Sequence, residues 1–131
     1  MLLKDYLPNI NKKFKNLNFS GLAFNSKEVK KNYIFIAIKG DRFDGNNYIN
    51  DAIKNGAKII ISSKFKDQIK NNIIYLKQKN PRQILSHLSS QIFKKKPQTL
   101  FAVYCTNVKT SINIFFYQIL KKNKKKVASF G

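Results

Sequence analysis

Residues 33–61 constrain the fold more than any other stretch, because they read as a complete strand, loop, helix and strand. The apolar run Tyr33–Ile38 has the length and β-branched content of a buried strand, and it ends in a polar loop that begins at Gly40. Apolar residues at helical spacing follow, with a glycine at the expected C-terminal cap: Ile49, Ala52, Ile53 and Gly56. Lys58–Ile61 then predicts a second buried strand. Because such connections are normally right-handed crossovers, we expect the two strands to lie parallel in the sheet of an α/β fold.

Apolar runs on either side of this unit extend the predicted sheet and add a helix. Phe19–Phe24 predicts a short first strand, and Ile73–Leu76 predicts a later one. Pro81 suits the first turn of a helix. The apolar side chains that this helix would turn inward are Ile84, Leu85, Leu88 and Ile92. We expect a short helix at residues 2–7 and a polar loop at residues 62–72.

A new pattern begins at Pro97, which we interpret as the start of a second domain. Residues 1–96 would then form one small sheet domain with packed helices, and residues 97–131 the beginning of another. The second part predicts a strand, a loop, a helix and the start of a strand: Thr99–Val103, Tyr104–Lys109, Thr110–Leu120 and Val127–Phe130. So few elements cannot bury the apolar helix face around Phe115 and Phe116. We therefore expect this part to be loosely packed, so that its apolar face favours local unfolding or self-association.

The formal net charge of +20 raises the alternative of a nucleic-acid-binding protein. Of the 26 basic residues, however, only Arg42 and Arg82 are arginine, and the lysines are spread along the chain among Asn and Ile. This distribution favours solvated lysines over a binding stripe, so we expect no specific nucleic-acid binding. No apolar run reaches the roughly 18 residues of a membrane helix, the start does not resemble a secretory signal, and Cys105 has no disulfide partner. We expect a cytoplasmic protein.

Lys109, Thr110 and Ser111 at the start of the last predicted helix have the layout of a nucleotide phosphate loop. In such loops glycines let backbone amides surround the phosphates, the lysine reaches the outer phosphates, and the next hydroxyl residue holds magnesium. The lysine and hydroxyls are present, but the preceding residues contain no glycine: Cys105, Thr106, Asn107 and Val108. By itself this pattern favours an ordinary loop between a strand and a helix.

Four motifs occur in a fixed order between Gly21 and Gly131: Asn25-Ser26-Lys27, Tyr33–Gly40, Phe43-Asp44-Gly45, and Thr106-Asn107 with Lys109-Thr110-Ser111. In this order they resemble the N-terminal part of the Mur ligase family, in particular the branch that makes UDP-N-acetylmuramoyl-tripeptide. The family has Asp-Ser-Arg at the first motif, a strand ending in glycine at the second, and a Thr-Asn-Gly-Lys-Thr-Thr ATP loop at the last. The resemblance implies an α/β substrate-binding domain followed by the start of a phosphate-loop-like central domain.

The resemblance also implies that the first domain holds the uridine end of a UDP-N-acetylmuramoyl-peptide. By position, its contacts would be Phe24, Ser26, Asp41, Arg42 and Phe43. Ser26 would donate to a uracil carbonyl or a diphosphate oxygen, Arg42 would neutralise phosphate, and Phe43 would supply an aromatic wall. Without the resemblance, Ser26 reads as a turn residue, Arg42 as solvated and Phe43 as core.

For the central domain the resemblance implies ATP and Mg²⁺. The implied ATP contacts are Cys105, Thr106, Asn107, Val108, Lys109, Thr110 and Ser111, with Thr110 as a weak magnesium ligand. Ala102, Cys105 and Val108 stand where the family has glycines, and Asn25 and Lys27 replace its acid and arginine. A β-branched residue before the lysine disfavours the loop geometry, so we expect poor ATP binding.

The sequence leaves three functional hypotheses open. In the first, the chain is the N-terminal part of a peptidoglycan-precursor amino acid ligase. Because it ends before the family's remaining magnesium ligands and its amino-acid-binding domain, we expect a truncated form that recognises the UDP-sugar substrate but is not a ligase by itself. In the second it is a stand-alone UDP-sugar or nucleotide-binding module, and in the third a basic nucleic-acid-binding protein.

Overall fold

The crossover unit at residues 33–61 lies at the centre of a five-stranded sheet in the computed structural model. The strands are β1 (Gly21–Ala23), β2 (Tyr33–Ile36), β3 (Ala57–Ser62), β4 (Gln68–Lys70) and β5 (Ile73–Lys77). Their order across the sheet is β1-β2-β3-β5-β4. The first four strands in this order are parallel to one another, and β4 is antiparallel to β5. The predicted α/β class and the predicted parallel pairing of β2 with β3 are therefore confirmed.

The structure describes residues 1–7, 10–94, 99–104 and 109–129. The contacts divide the chain into two units, Met1–Lys94 and Lys95–Gly131. The helices are α1 (Ile49–Lys54), α2 (Pro81–Ile92) and α3 (Lys109–Lys122). Short 3-10 turns lie at Leu3–Asp5, Lys12–Phe14, Ser26–Glu28 and Gly45–Tyr48. The predicted boundary at Pro97 lies outside the described residues.

Side-chain alternation along the central strands builds a core on each face of the sheet. In β3, Ile59 and Ile61 point to one face and Ile60 to the other, and all three are fully buried. The Ile60 face packs against α1 through Ile49 and Ala52. The other face is covered by α2 and by the amino-terminal segment through Leu3, Leu7, Phe14, Phe19 and Leu88. Burying one such side chain contributes about 1.5–3 kcal/mol, so the central strands and their covers supply most of the stability of the first unit.

The antiparallel edge strand β4 lies inside residues 62–72, which the sequence predicted to be a loop. All three β4 residues are exposed, so the strand has none of the apolar alternation that identifies the others. The turn that joins it to β5 consists of Asn71 and Asn72, with φ angles of 50° and 61°. Two consecutive residues at positive φ are typical of a tight β-hairpin, and asparagine tolerates that conformation.

The second unit contains α3, as predicted, but the strand predicted at Thr99–Val103 is wrong. Residues 99–104 are irregular, and so are residues 127–129 of the strand predicted at Val127–Phe130, whose Phe130 is outside the described residues. An extended segment forms a strand only when a neighbour pairs with its backbone. The apolar side chains of α3, including Phe115 at 68% exposure, remain largely accessible. Over the described ranges, none of the helices is long and apolar enough to cross a membrane.

Gly56, two residues after the end of α1, adopts a conformation that other residues rarely adopt, with a φ of 107°. Its carbonyl oxygen accepts a hydrogen bond from the Asn32 backbone at 2.8 Å, and a Cβ atom at this position would lie 2.9 Å from Lys31 Cα. We therefore expect Gly56→Ala to lower the free energy of unfolding by about 1–3 kcal/mol, as measured by urea denaturation.

Gly40→Ala is the matched control for this variant. A Cβ atom at Gly40 would meet its nearest neighbour, the Phe43 carbonyl oxygen, at an ordinary 3.4 Å. We expect that variant to change the free energy of unfolding by less than about 0.5 kcal/mol. An equal loss of stability in both variants would contradict the assignment of strain to Gly56.

Candidate functional site

The predicted UDP contacts all follow β1 or β2, two neighbouring parallel strands. Phe24 and Ser26 come directly after β1, and residues 41–43 lie in the loop after β2. Parallel strands end at the same edge of a sheet, and that carboxyl edge is where open α/β sheets bind ligands. The topology therefore brings the two groups of predicted contacts to one edge, although they are far apart in sequence.

The turn after β1 is held by two asparagines. Asn25 Oδ1 accepts a hydrogen bond from the Lys27 backbone at 3.1 Å, and Asn55 Nδ2 donates to the Ser26 carbonyl at 2.9 Å. These bonds hold the turn although Asn25 and Lys27 replace the acid and the arginine of the family motif. Ser26 is buried, at 7% exposure, whereas Phe24 is 59% exposed. The Phe24 ring is therefore accessible at this edge, whereas most of Ser26 is covered.

The loop after β2 is a small hairpin spanning Lys39–Asp44. Its ends pair as an antiparallel bridge between Lys39 and Asp44, and the Gly40 backbone N–H donates to the Phe43 carbonyl at 2.8 Å. The tip residues Asp41, Arg42 and Phe43 are all exposed, and Phe43 is 72% exposed. The alternative interpretation of Phe43 as a core residue is therefore wrong. The hairpin tip presents a carboxylate, a guanidinium and an aromatic ring to solvent.

A hydrogen-bonded ring of four residues, which we call the Asp44–Lys64 ring, closes the base of this hairpin. Lys64 Nζ donates to Asp44 Oδ2 at 2.8 Å, and Asn46 Nδ2 donates to Asp44 Oδ1 at 2.6 Å. Ser62 Oγ in turn donates to Asn46 Oδ1 at 2.6 Å. The Lys64 backbone N–H completes the ring by donating to Ser62 Oγ at 3.0 Å. The ring joins the loop after β2 to the carboxyl end of β3.

Hydrogen bonds within this ring hold the pKa of the Asp44 carboxyl well below its usual range. The hydrogen bond from the Lys64 ammonium has the largest effect, followed by those from the Asn46 side chain and backbone. The Lys64 and Asp44 side chains are 52% and 22% exposed. Solvent therefore screens their attraction, and such ion pairs alone stabilise a fold only slightly.

Sequence reasoning used Asp44 and Gly45 only as family markers and missed the ring. Two signals were present in the sequence. Asp44 precedes a glycine and lies two residues before Asn46, a spacing at which aspartate caps a turn through the backbone N–H. Ser62 follows three consecutive isoleucines at the end of β3, and a fully buried hydroxyl needs hydrogen-bond partners. The partner Lys64 could not be predicted, because lysines occur throughout the chain.

A cavity of the first unit lies at the opposite edge of the sheet. Its volume is about 750 Å³, and its lining includes the amino-terminal ends of β3 and β5 and the turn residues Asn32, Asn71 and Asn72. It is an open groove, and none of the predicted UDP contacts lines it. We place the candidate site at the carboxyl edge because the exposed charged and aromatic groups of the hairpin tip converge there.

The predicted ATP-loop residues Cys105, Thr106, Asn107 and Val108 lie outside the described residues. Lys109, Thr110 and Ser111 form the first turn of α3, as the phosphate-loop layout requires, and Thr110 and Ser111 are exposed. Mg²⁺ takes about six oxygen ligands. Within the described part of the chain, no three His, Cys, Asp or Glu side chains cluster as metal ligands.

Comparison with known proteins gives related sequences over most of the chain. The sequence profile described as Mur ligase family, catalytic domain, matches residues 18–99. A UDP-N-acetylmuramoyl-L-alanyl-D-glutamate--2,6-diaminopimelate ligase of Rickettsia typhi is 37% identical over 94% of this chain and 25% of its own length. A second ligase of that name from Clostridium acetobutylicum is 36% identical over 100% of this chain and 28% of its own length. The chain thus spans about a quarter of the length of these curated relatives.

Solved structures show the same fold. The MurF ligase of Thermotoga maritima, determined in complex with ADP, superposes with a TM-score of 0.58 at 30% identity, over 77% of this chain and 23% of that protein. The UDP-N-acetylmuramoylalanyl-D-glutamyl-2,6-diaminopimelate--D-alanyl-D-alanyl ligase of Acinetobacter baumannii gives a TM-score of 0.58 at 22% identity, over 83% and 24% of the two chains. The second comparison supports the fold alone.

Because the pKa of Asp44 is lowered in the folded chain, the contribution of Asp44 to the free energy of unfolding should depend on pH. A carboxyl with a lower pKa in the folded than in the unfolded chain stabilises the fold above its unfolded pKa of about 4. This contribution is lost as the pH falls through the folded value. We expect Asp44→Asn to lower the free energy of unfolding near neutral pH, and we expect the difference from wild type to shrink below about pH 4.

Urea denaturation over a series of pH values measures this difference. Asp51→Asn, on the exposed surface of α1, controls for the change in net charge. If the difference between wild type and Asp44→Asn were the same at all pH values, the hydrogen bonds of the Asp44–Lys64 ring would not depend on the charge of Asp44.

Proposed function

The chain belongs to the Mur ligase family, and on this premise we propose that its first unit binds the uridine diphosphate end of a UDP-N-acetylmuramoyl-peptide. One observation carries the proposal: the carboxyl edge of the parallel sheet brings the turn after β1 and the hairpin after β2 together. The family resemblance assigns substrate contacts to these same two loops. The relatives from Rickettsia typhi and Clostridium acetobutylicum are named as ligases of a UDP-N-acetylmuramoyl compound, which supports this substrate class.

The exposed groups of the hairpin tip have the chemistry that a nucleoside diphosphate requires. The Arg42 guanidinium can form paired, charge-assisted hydrogen bonds to phosphate oxygens. The Phe43 ring is free to stack on uracil, and such stacking is worth about 1–3 kcal/mol per base. Asp41 and Ser26 offer hydrogen-bonding groups for the sugar and base. The net charge of +20 also favours the approach of a diphosphate.

We assign recognition of the substrate, and no chemical step, to the described residues. The proposed reaction of the ligase to which this sequence corresponds is the ATP-dependent addition of an amino acid to a UDP-N-acetylmuramoyl-dipeptide. When bound, ATP would supply the phosphoryl group that activates the carboxyl. Residues 1–94 would form the substrate-binding domain of such an enzyme, and residues 95–131 would begin its ATP-binding domain. A cytoplasmic location and the absence of specific nucleic-acid binding stay predictions.

Arg42→Gln tests the proposed phosphate contact. We expect wild type to bind UDP weakly, with amide chemical-shift changes centred on Phe24, Ser26 and residues 41–43 in an NMR titration. Loss of a charge-assisted contact should weaken binding about tenfold. Arg82→Gln is a matched control, because Arg82 is the other arginine of the chain and is exposed on the first turn of α2.

Two results would contradict the proposed site. An equal loss of affinity in both arginine variants would indicate attraction by net charge without a specific contact. Chemical-shift changes centred on Asn32, Asn71 and Asn72 would place the ligand in the groove at the opposite edge of the sheet.

For the ATP loop we expect weak Mg-ATP binding. Cys105 and Val108 stand where the resembled family has glycines, and forcing such residues into a glycine conformation costs on the order of 1–3 kcal/mol each. Two such substitutions predict an affinity roughly a hundredfold below that of a loop with glycines. Calorimetry with Cys105→Gly/Val108→Gly should show a gain in Mg-ATP affinity that Lys109→Ala removes. Micromolar Mg-ATP binding by the wild-type chain would contradict this account.

A further inference from the structure

The Asp44–Lys64 ring lies directly below the hairpin that carries three of the proposed UDP contacts. We propose that this ring is a positioning device, which holds the tip of the hairpin, Asp41–Phe43, in the arrangement that binds the UDP end of the substrate. This inference rests on the proposed function and adds residues to it that touch no ligand themselves. Asn46, Ser62 and Lys64 are the added residues.

The ring is closed and fixes the orientation of each member. Asn46 uses its amide nitrogen for Asp44 and its amide oxygen for Ser62, so its side chain cannot rotate without losing a hydrogen bond. Ser62 Oγ donates to Asn46 and accepts from the Lys64 backbone. Asp44 uses one carboxylate oxygen for Asn46 and the other for Lys64. Satisfied polar networks of this kind rigidify the groups that they connect.

The ring is anchored to the most buried part of the sheet. Ser62 is the last residue of the central strand β3 and is fully buried. Its carbonyl oxygen accepts a hydrogen bond from the Gln78 backbone at 2.9 Å, just beyond the end of β5. The fixed point of the ring is therefore the carboxyl edge of two parallel strands.

The path from the ring to the hairpin tip is short. Asp44 pairs across the hairpin with Lys39, and the next residue, Gly45, donates its backbone N–H to the Ile38 carbonyl at 2.9 Å. A Cβ atom at Gly45 would lie 2.8 Å from the Ile38 backbone, so the hairpin base is closely packed. Any displacement of Asp44 would pass directly to Phe43 and Arg42.

The expected loss of UDP affinity follows from the fraction of molecules in which the hairpin has its binding-competent conformation. The hairpin tip is exposed, and the hydrogen bonds at its base and the ring limit the conformations open to it. If losing the ring reduced the binding-competent fraction of the hairpin from nearly all molecules to about one fifth, the apparent UDP affinity would fall about fivefold. The attraction between Lys64 and Asp44 itself contributes little, because both side chains are partly exposed.

Two variants break the ring in different ways, and each has a neighbouring control. Lys64→Met removes the link to Asp44, and Lys66→Met removes the same charge from an exposed lysine nearby. Ser62→Ala breaks the ring without changing charge, and Ser63→Ala changes an exposed serine beside it. Lys64→Arg keeps a cationic donor and tests rescue. Each protein is titrated with UDP by NMR, and amide hydrogen exchange is measured at Gly40 and Gly45.

We expect Lys64→Met and Ser62→Ala to weaken UDP binding about fivefold and to speed exchange at Gly40 and Gly45. Lys66→Met and Ser63→Ala should leave both quantities unchanged, and Lys64→Arg should restore them. Faster exchange with unchanged UDP affinity would overturn the inference, and so would an equal loss of affinity in Lys66→Met. If the wild-type chain gave no response to UDP, the proposed function would fail and this inference with it.

Discussion

The parallel pairing of β2 with β3 is the constraint on which the rest of the first unit depends. Buried apolar side chains point to both faces of these strands, so both faces must be covered for the sheet to exist. Helix α1 covers one face, while α2 and the amino-terminal segment cover the other. Because the strands are parallel, the same pairing brings all their carboxyl ends to one edge. The requirement for burial thus also creates the edge at which we place the ligand.

That edge combines a rigid base with an exposed tip. Ser62 ends the buried strand and begins a chain of hydrogen bonds that reaches Asp44 through Asn46. Beyond Asp44 the hairpin projects Arg42 and Phe43 into solvent. In this arrangement the sheet supplies the fixed geometry, and the loops supply the guanidinium and aromatic groups to which we assign phosphate and base recognition. A binding site built in this way can have a well-defined geometry even in a small domain.

The sequence predicted the buried elements because burial leaves a periodic pattern, as in the apolar positions of α2 and the continuous run of β3. It failed where structure depends on partners distant in sequence or on polar groups. The strand β4 has no apolar pattern. Together with its turn at Asn71 and Asn72, it lies in the stretch for which the sequence predicts a polar loop. The predicted strand at Thr99–Val103 had the right composition but no paired neighbour in the part of the second unit that the structure describes. The proposed site residues were predicted from the family resemblance. Lys64, in contrast, was identified only from its short distance to Asp44 in the structure.

Photo-crosslinking with 4-thio-UDP tests the central claim most directly, because the reactive base marks the residues that it contacts. The full chain is irradiated with the analogue, with and without excess UDP, and the labelled peptides are identified by mass spectrometry. The account predicts labelling, suppressed by UDP, in the peptides that contain Phe24–Lys27 and Asp41–Phe43. UDP-sensitive labelling confined to residues 16–20 or 71–74, at the opposite edge of the sheet, would contradict it.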